Sequence, residues 1–172
     1  MVDSVMKHEM LMDPVDLDDT DIRILDQLQH DASRSNHDLA LAAATSPATC
    51  LRRVKRLVDL GVIESRVAIL APQRVGEGLT AITEITLDRQ GAEHLDAFEQ
   101  RAVRDPAVQQ CHRVAPGPDF LLVLRVAGLP AWNELVARLF TQDANVRNVK
   151  TFFSVRRAKF STAITLPARS SR

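Results

Sequence analysis

Three stretches of helical periodicity occupy the first third of the chain. The first begins near Leu17 and has aspartates in its first turn, which suit the positive end of a helix. The second begins at Ser35-Asn36-His37-Asp38, a capping-box spacing, and continues to Ala44. The third begins at Ser46-Pro47, where Ser caps and Pro suits the first helical position, and ends at Gly61. Three helices joined by such short links predict a helix-turn-helix.

The residues after the third helix predict a strand and then a boundary. Val62–Leu70 alternates loosely between apolar and polar positions, which predicts a strand that forms a wing of the helical domain. Residues 72–78 are rich in turn formers and predict the linker between two domains. We therefore expect a flexible leader over residues 1–16, a helix-turn-helix domain over 17–71, a second domain over 79–166 and a tail over 167–172.

The second domain alternates between period-two and helical patterns. Helices are predicted over residues 91–104 and from Pro130. The predicted strands are Leu79–Leu87, Val108–Val114, Phe120–Val126 and Val146–Val155, with a further short one at Thr162–Leu166. The order β-α-β-β-α-β predicts a ferredoxin-like sandwich, so the fold class is α+β with two domains.

One face of that sheet requires a partner. Helices cover a single face of a two-layer unit, yet Phe120–Val126 is apolar on both faces apart from Arg125. Phe152 and Phe153 likewise point to opposite sides. The uncovered face predicts a homodimer; a monomer with an apolar sheet is the alternative.

Charge is uneven along a chain of 172 residues whose formal net charge is zero. Residues 1–31 hold nine acidic residues against two basic ones, whereas residues 144–172 hold seven basic residues and no acid. Any affinity for nucleic acid must therefore come from a local patch. Apolar stretches are too short for a membrane span, no signal peptide opens the chain, and two cysteines make no disulfide framework. We expect a cytoplasmic protein without membrane contact.

The third helix carries the candidate chemistry. On a helical wheel one arc is apolar and predicted to be buried: Cys50, Leu51, Val54, Leu57 and Val58. The opposite side is cationic and predicts a helix lying in the major groove of duplex DNA, with its N-terminal residues at base edges. The expected DNA-binding residues are Ser35, Asn36, Ser46, Ala48, Thr49, Arg52, Arg53, Lys55 and Arg56. A solvated charged face is the alternative, and for Arg53 an ion pair with an acid of the first helix.

Other candidates for chemistry are weaker. Cys111 and His112 are neighbours on a strand and point to opposite faces, so joint metal ligation is not expected. The aspartates of residues 13–21 suit a helix start better than a cation site. The chain lacks phosphate-loop, nucleophile-elbow, zinc-peptidase and dinucleotide motifs, so we expect neither an enzyme nor a bound cofactor. The rivals are an assembly module that binds protein or RNA through the basic helix, and an enzyme built on the second domain.

The chain resembles the Lrp/AsnC family of transcription regulators over roughly residues 17–166. The matching stretches are Leu17-Asp18-x-x-Asp21-x-x-Ile24-Leu25, Ser35-Asn36-x-Asp38-Leu39-Ala40, Ser46-Pro47 and Arg53-Val54-x-x-Leu57-x-x-x-Gly61-Val62-Ile63. The resemblance implies a dimer that assembles into larger, often octameric, rings. It also implies a domain that binds amino acids or related small effectors, and control of genes of amino-acid metabolism.

The chain departs from the family pattern at two places. Ala44 stands where the family usually has glycine, in the turn before the third helix. The family's effector loop usually carries a Gly-Asp step, but here it reads Ala115-Pro116-Gly117-Pro118-Asp119-Phe120. The expected effector site is Ala115, Gly117, Asp119 and Phe120 together with Thr151, at an interface between subunits. Two prolines remove backbone donors, so we expect weak binding of amino acids or a different ligand; a stiffened turn capped by Asp119 is the alternative.

Overall fold

The computed structural model describes residues 15–76 and 78–166, and these form two compact units. One unit combines residues 15–68 with residues 159–166, and the other spans residues 69–158. No helix among the described residues has both the length and the apolar character that crossing a membrane requires.

The N-terminal unit contains the three predicted helices. They are α1 (Asp19–His30), α2 (Asn36–Ala42) and α3 (Pro47–Asp59). α2 and α3 begin at their predicted caps, since the side chain of Ser35 accepts a hydrogen bond from the Asp38 amide and that of Ser46 from the Thr49 amide. α1 is capped by Asp18, predicted to lie in its first turn, whose side chain accepts hydrogen bonds from the Thr20 and Asp21 amides. Gly61 follows α3 with φ of +70°, the left-handed conformation in which glycine commonly ends a helix. Local polar groups therefore set both ends of α3.

The turn between α2 and α3 uses a strained alanine. Ala44 has φ of +52°, a conformation that costs a residue with a Cβ about 1 kcal/mol relative to glycine. The Thr45 amide donates to the Ala40 carbonyl, and the Arg23 guanidinium donates to the Ala43 carbonyl. The turn thus adopts a positive φ without a glycine, and contacts from α1 help to hold it before α3.

The core of this unit lies between the three helices. Its buried apolar members are Ile24, Leu25, Leu39, Ala40, Ala43, Cys50 and Leu57. Val62 and Ile63 pack against this cluster, but the predicted strand at Val62–Leu70 does not form. A strand needs a hydrogen-bonded neighbour, and Val67 and Ile69 instead remain exposed. The wing expected from the alternating pattern is therefore absent from the described chain.

The division between the units differs from the predicted one in two places. The units separate at residues 68 and 69 rather than within 72–78. Residues 159–166, predicted to belong to the second domain, group with the helical unit instead. The predicted strand at Thr162–Leu166 is absent, because the Gln29 side chain exchanges two hydrogen bonds with the backbone of Ile164 (2.7 and 3.2 Å) and Leu166 packs on the helical core.

The second unit is the predicted four-stranded sandwich. Its strands are β1 (Leu79–Leu87), β2 (Val108–Arg113), β3 (Phe120–Val126) and β4 (Val146–Phe153), and α4 (Ala92–Ala102) joins β1 to β2. The second crossover is α5 (Leu129–Leu135), which continues as a π-helical turn (Val136–Thr141). The sheet order is β2-β3-β1-β4 with antiparallel neighbours, which confirms the ferredoxin-like topology.

The two faces of this sheet differ in burial. Along β3, Phe120, Leu122, Leu124 and Val126 are buried beneath the helices, while the intervening residues are half-buried. On the helix side the ring centroids of Phe98 and Phe120 lie 4.8 Å apart. The other face presents a row of apolar side chains paired across three strands, formed by Val123, Ile82 and Phe152. The predicted asymmetry of the sheet is therefore present.

Candidate nucleic-acid interface and effector loop

The packed side of α3 is narrower than the wheel predicts. Cys50 and Leu57 are fully buried and Val54 is half-buried. Leu51 and Val58, predicted to share that buried arc, are 61% and 47% exposed. The prediction was wrong for these two residues because the buried side of α3 centres on Cys50 and Leu57, which leaves the neighbouring flank of the helix in solvent.

The outward side of α3 carries Ala48, Arg52 and Lys55, all exposed. Within the part of the chain that the structure describes, neither Arg52 nor Lys55 makes a hydrogen bond or an ion pair. These two cations therefore stand in solvent on the side opposite the core, where an anionic partner can approach both.

The polar residues at the start of α3 support the helix-turn-helix. The Ser46 hydroxyl donates to the Thr49 hydroxyl oxygen at 2.9 Å, and the Asn36 side-chain amide donates to the Pro47 carbonyl at 2.9 Å. Ser35 donates to the Asp38 carboxylate across the first turn of α2. The structure thus brings Asn36 to the start of α3 beside Ser46 and Thr49, leaves Ser35 at the start of α2, and gives each of the four an intramolecular partner.

An acid–arginine network, comprising Asp16, Asp18, Asp21, Arg53 and Arg56, joins the start of α1 to α3. Asp21 is 1% exposed and sits at its centre. Arg53 Nη1 donates to Asp21 at 3.0 Å and to Asp18 at 2.6 Å, so the predicted ion pair between Arg53 and α1 is observed. The hydrogen bond between Arg53 and Asp18 lowers the pKa of Asp18 and raises the pKa of Arg53.

Arg56 belongs to the same network. Its Nη1 donates to the second oxygen of Asp21 at 3.0 Å, and its Nη2 donates to the Asp16 carbonyl at 3.2 Å. The wheel placed Arg56 opposite the buried arc, and the residue is exposed there, but its guanidinium also pairs with α1. The reason is the length of the arginine side chain, which reaches back to a buried carboxylate on α1.

Asp21 was missed as a site residue, although the sequence carries a signal for it. Asp18 and Asp21 are three residues apart on α1, and Arg53 and Arg56 have the same spacing on α3. Residues three apart lie on the same face of a helix, so two such pairs of opposite charge can meet across a helix contact. The matched spacing suggests pairing; only the packing of α1 on α3 shows that it occurs.

The effector loop uses its carboxylate internally. Asp119 Oδ2 accepts a hydrogen bond from the Leu87 amide at 2.7 Å and a longer one from the Gln90 side chain at 3.3 Å. The Asp119 amide donates to the Ile85 carbonyl at 2.8 Å. The carboxylate therefore joins the loop to the end of β1 and to Gln90, rather than capping the turn at residues 115–120 as the alternative expected. Gln90 is a contributor that the sequence analysis did not identify.

Within a single chain the other predicted effector residues do not converge. Ala115 and Gly117 are exposed, and Gly117 has φ of +129°, which requires glycine. Phe120 is fully buried in the core, and Thr151 shares a 3.0 Å hydrogen bond with the buried Thr83. Phe120 and Thr151 lie on strands separated by β1, about 10 Å apart across the sheet. The structure therefore separates the Thr151 side chain from the loop.

The cysteine–histidine pair behaves as its strand position predicts. Cys111 packs against the core, where burial raises the pKa of its thiol to about 11. His112 is exposed and contacts Gln110. Among the described residues, no three His, Cys, Asp or Glu side chains are placed to hold a metal ion together.

Both units match models of known domains. The model of the AsnC-type helix-turn-helix domain matches residues 17–58, and the model of the Lrp/AsnC ligand binding domain matches residues 80–164. Together they cover most of the chain.

Whole proteins match along nearly their full length. A glutamate uptake regulatory protein of Zymomonas mobilis is 36% identical over 156 residues, covering 91% of this chain and 94% of that protein. The leucine-responsive regulatory protein of Escherichia coli is 31% identical over 154 residues, covering 90% and 94%.

Solved structures agree. An AsnC family transcriptional regulator from Agrobacterium tumefaciens superposes with a TM-score of 0.81 at 28% identity, covering 87% of this chain and 97% of that one. A transcriptional regulator of Neisseria meningitidis in complex with L-Met has the same TM-score at 29% identity and the same coverage.

Proposed function

Because the chain belongs to the Lrp/AsnC family of transcription regulators, we propose that it binds duplex DNA through the outward side of α3. One observation carries the proposal. Arg52 and Lys55 are exposed cations without partners among the described residues, and both lie on the side of the helix opposite its core. Ser46, Ala48 and Thr49 occupy the N-terminal end of α3, which faces base edges when such a helix enters the major groove. Asn36 braces this end from α2, and Ser35 caps α2 itself.

The acid–arginine network sorts the four cations of α3 into two groups. Arg53 and Arg56 are held by carboxylates of α1, so we assign them to the frame of the domain. Arg52 and Lys55 are left to neutralise phosphates, which gives two contacts for each subunit and four for a dimer. Asp16, Asp18 and Asp21 line one recess together with Arg52, Arg53 and Arg56, and within it Arg53 and Arg56 hold the ion pairs with Asp18 and Asp21.

The salt dependence of binding tests this assignment. Four phosphate contacts predict a slope of about −3.6 for log affinity against log salt, whereas eight, with all four cations of each subunit engaged, predict about −7. We expect the shallower slope in a fluorescence-anisotropy titration on a palindromic duplex selected by the protein itself. Scrambling the half-sites should abolish tight binding. A salt-independent affinity, or equal affinity for RNA and scrambled duplex, would contradict the proposal and favour an assembly module.

The open face of the sheet supports a homodimer. Ile82 on β1 and Phe152 on β4 are 37% and 46% exposed there, and Leu121 and Val123 lie half-buried on β3, on the other side of β1. A row of apolar side chains with no covering layer is a typical dimerisation surface. Two-fold symmetry would then present two α3 helices to two half-sites of the duplex.

A pair of substitutions on β3 tests the dimer. Leu121→Asp places a charge on the open face and should shift sedimentation from dimer to monomer while the fold persists. Leu122→Asp places the same charge in the fully buried core and should prevent the unit from folding, as monitored by circular dichroism. Monomeric wild-type protein at micromolar concentration would refute the dimer, and a sedimenting species with the mass of eight subunits would indicate that dimers associate into an octamer.

The effector domain supports control of genes of amino-acid metabolism. The relatives named above are called glutamate uptake and leucine-responsive regulators, and a structural neighbour was solved in complex with L-Met. For this chain the accessible part of the expected site is Ala115, Gly117 and the edge of Asp119. Because the Asp119 carboxylate already binds the Leu87 amide, an α-ammonium group must compete for it.

Calorimetric titration with the twenty amino acids tests the effector site. We expect weak binding that is further weakened in Asp119→Ala, or no binding of a free amino acid and instead a different small effector. Tight binding that survives Asp119→Ala would place the site elsewhere. Mapping bound sites across the genome would identify the genes and test the expected location on the nucleoid in the cytoplasm.

A further inference from the structure

Leu51 is a large apolar side chain on the exposed flank of α3. It is 61% exposed although the core side of the same helix is filled by Cys50 and Leu57. At about 100° per residue, Leu51 lies about 40° from Lys55 and about 60° from Ala48 around the helix. It therefore borders the outward side rather than the core.

The residues around Leu51 suit a contact with an apolar group in the major groove. Ala48 lies one turn towards the N-terminus of α3, and Lys55 lies one turn towards its C-terminus. A small apolar residue and a leucine near the N-terminal end of the helix thus adjoin the cations that would meet phosphates. In the major groove, the apolar feature at a base edge is the C5-methyl group of thymine.

We propose that Leu51, with Ala48 beside it, determines sequence preference by contacting a thymine methyl group in each half-site. The inference rests on the proposed function, since it requires α3 to lie in the major groove. Arg52 and Lys55 then supply affinity that does not depend on sequence, whereas Leu51 supplies discrimination through burial of the methyl group.

A double-mutant cycle between protein and DNA tests the contact. The duplex is one selected from random sequence by the wild-type protein, and thymines of its half-sites are replaced one position at a time by uracil, which removes only the C5-methyl group. At one position in each half-site we expect about fourfold weaker binding by the wild-type protein. Leu51→Ala should bind the thymine duplex more weakly than wild type, by about fourfold for each half-site. It should not distinguish thymine from uracil at that position.

Val58→Ala is the matched control. Val58 is also exposed and lies on the same flank two turns further along α3, away from the base-facing end. It should retain the full preference for thymine over uracil. Circular dichroism should show that all three proteins are equally folded, because both side chains are largely exposed.

The outcomes separate the inference from the function on which it depends. Absence of sequence-specific binding by the wild-type protein would overturn the proposed function. Specific binding with no uracil-sensitive position, or with the same sensitivity in Leu51→Ala as in wild type, would overturn the role of Leu51 alone. Loss of discrimination in Leu51→Ala, with discrimination retained in Val58→Ala, is the expected result.

Discussion

The four cationic side chains of α3 form two pairs that have different environments. Arg53 and Arg56 reach back to the Asp21 carboxylate, which is 1% exposed, while Arg52, the residue before Arg53, stands in solvent with Lys55. Residue type therefore does not decide which cation is available to DNA. The decisive factor is whether a fixed anion lies within reach, since a guanidinium already bound in two directions must give up those contacts before it can meet a phosphate.

The largest expected effect comes from removing the Asp21 carboxylate, which binds Arg53 and Arg56. Asp21→Ala should lower the free energy of unfolding by about 2–3 kcal/mol, because it leaves Arg53 and Arg56 without their shared buried partner. Urea denaturation measures this. Asp26→Ala, on an exposed position of the same helix, is the control and should cost less than about 0.5 kcal/mol. Equal stability of the two variants would show that the network contributes nothing to the frame.

Neighbouring arginines should respond in opposite ways. Arg52→Ala should weaken DNA binding about tenfold and make the salt slope shallower by about 1.8 for a dimer, with stability unchanged. Arg53→Ala should lower the free energy of unfolding by about 1–2 kcal/mol and leave the salt slope unchanged. Anisotropy titrations and urea denaturation on both variants make the comparison. A salt slope that changes in Arg53→Ala but not in Arg52→Ala would contradict the assignment of these two arginines.

The turn before α3 provides a reference, because substitutions there change the free energy of unfolding without removing any of the four cations of α3. Ala44→Gly should raise the free energy of unfolding by roughly 0.5–1 kcal/mol, because glycine adopts the positive φ without strain. Ala42→Gly, at the end of α2 with ordinary helical geometry, should lower it by about the same amount. Thermal denaturation detects both shifts. Neither variant should alter the salt slope, and identical signs would show that Ala44 is unstrained.

The smallest effect concerns acid stability. The hydrogen bond from Arg53 lowers the pKa of Asp18, so this carboxylate stabilises the fold above its unfolded pKa and the contribution is lost as pH falls through the folded value. Asp18→Asn keeps a good N-cap residue but removes the charge. Above about pH 4 the variant should be slightly less stable than wild type, and the difference should vanish at lower pH. A difference that persists or grows on acidification would contradict the assignment.

The sequence alone determined the elements and their order. The caps at Ser35 and Ser46 are local interactions between residues three apart, β1 follows from its period-two pattern, and β3 is a short apolar run between turn residues. The bounds of these elements could therefore be predicted from neighbouring residues. The same local information supports the two-domain α+β fold and, through the combined motifs, the family.

Only the tertiary structure decided which of these residues are available to a partner. The pairing of Arg56 with Asp21, the exposure of Leu51 and the use of Asp119 by the Leu87 amide join residues that are far apart in the chain or depend on how much of a helix its neighbours cover. The strand expected at Val62–Leu70 failed for the same reason, since alternation indicates a suitable surface but not a hydrogen-bonded neighbour. Periodicity reports the faces of one element, whereas contacts between elements are set by packing.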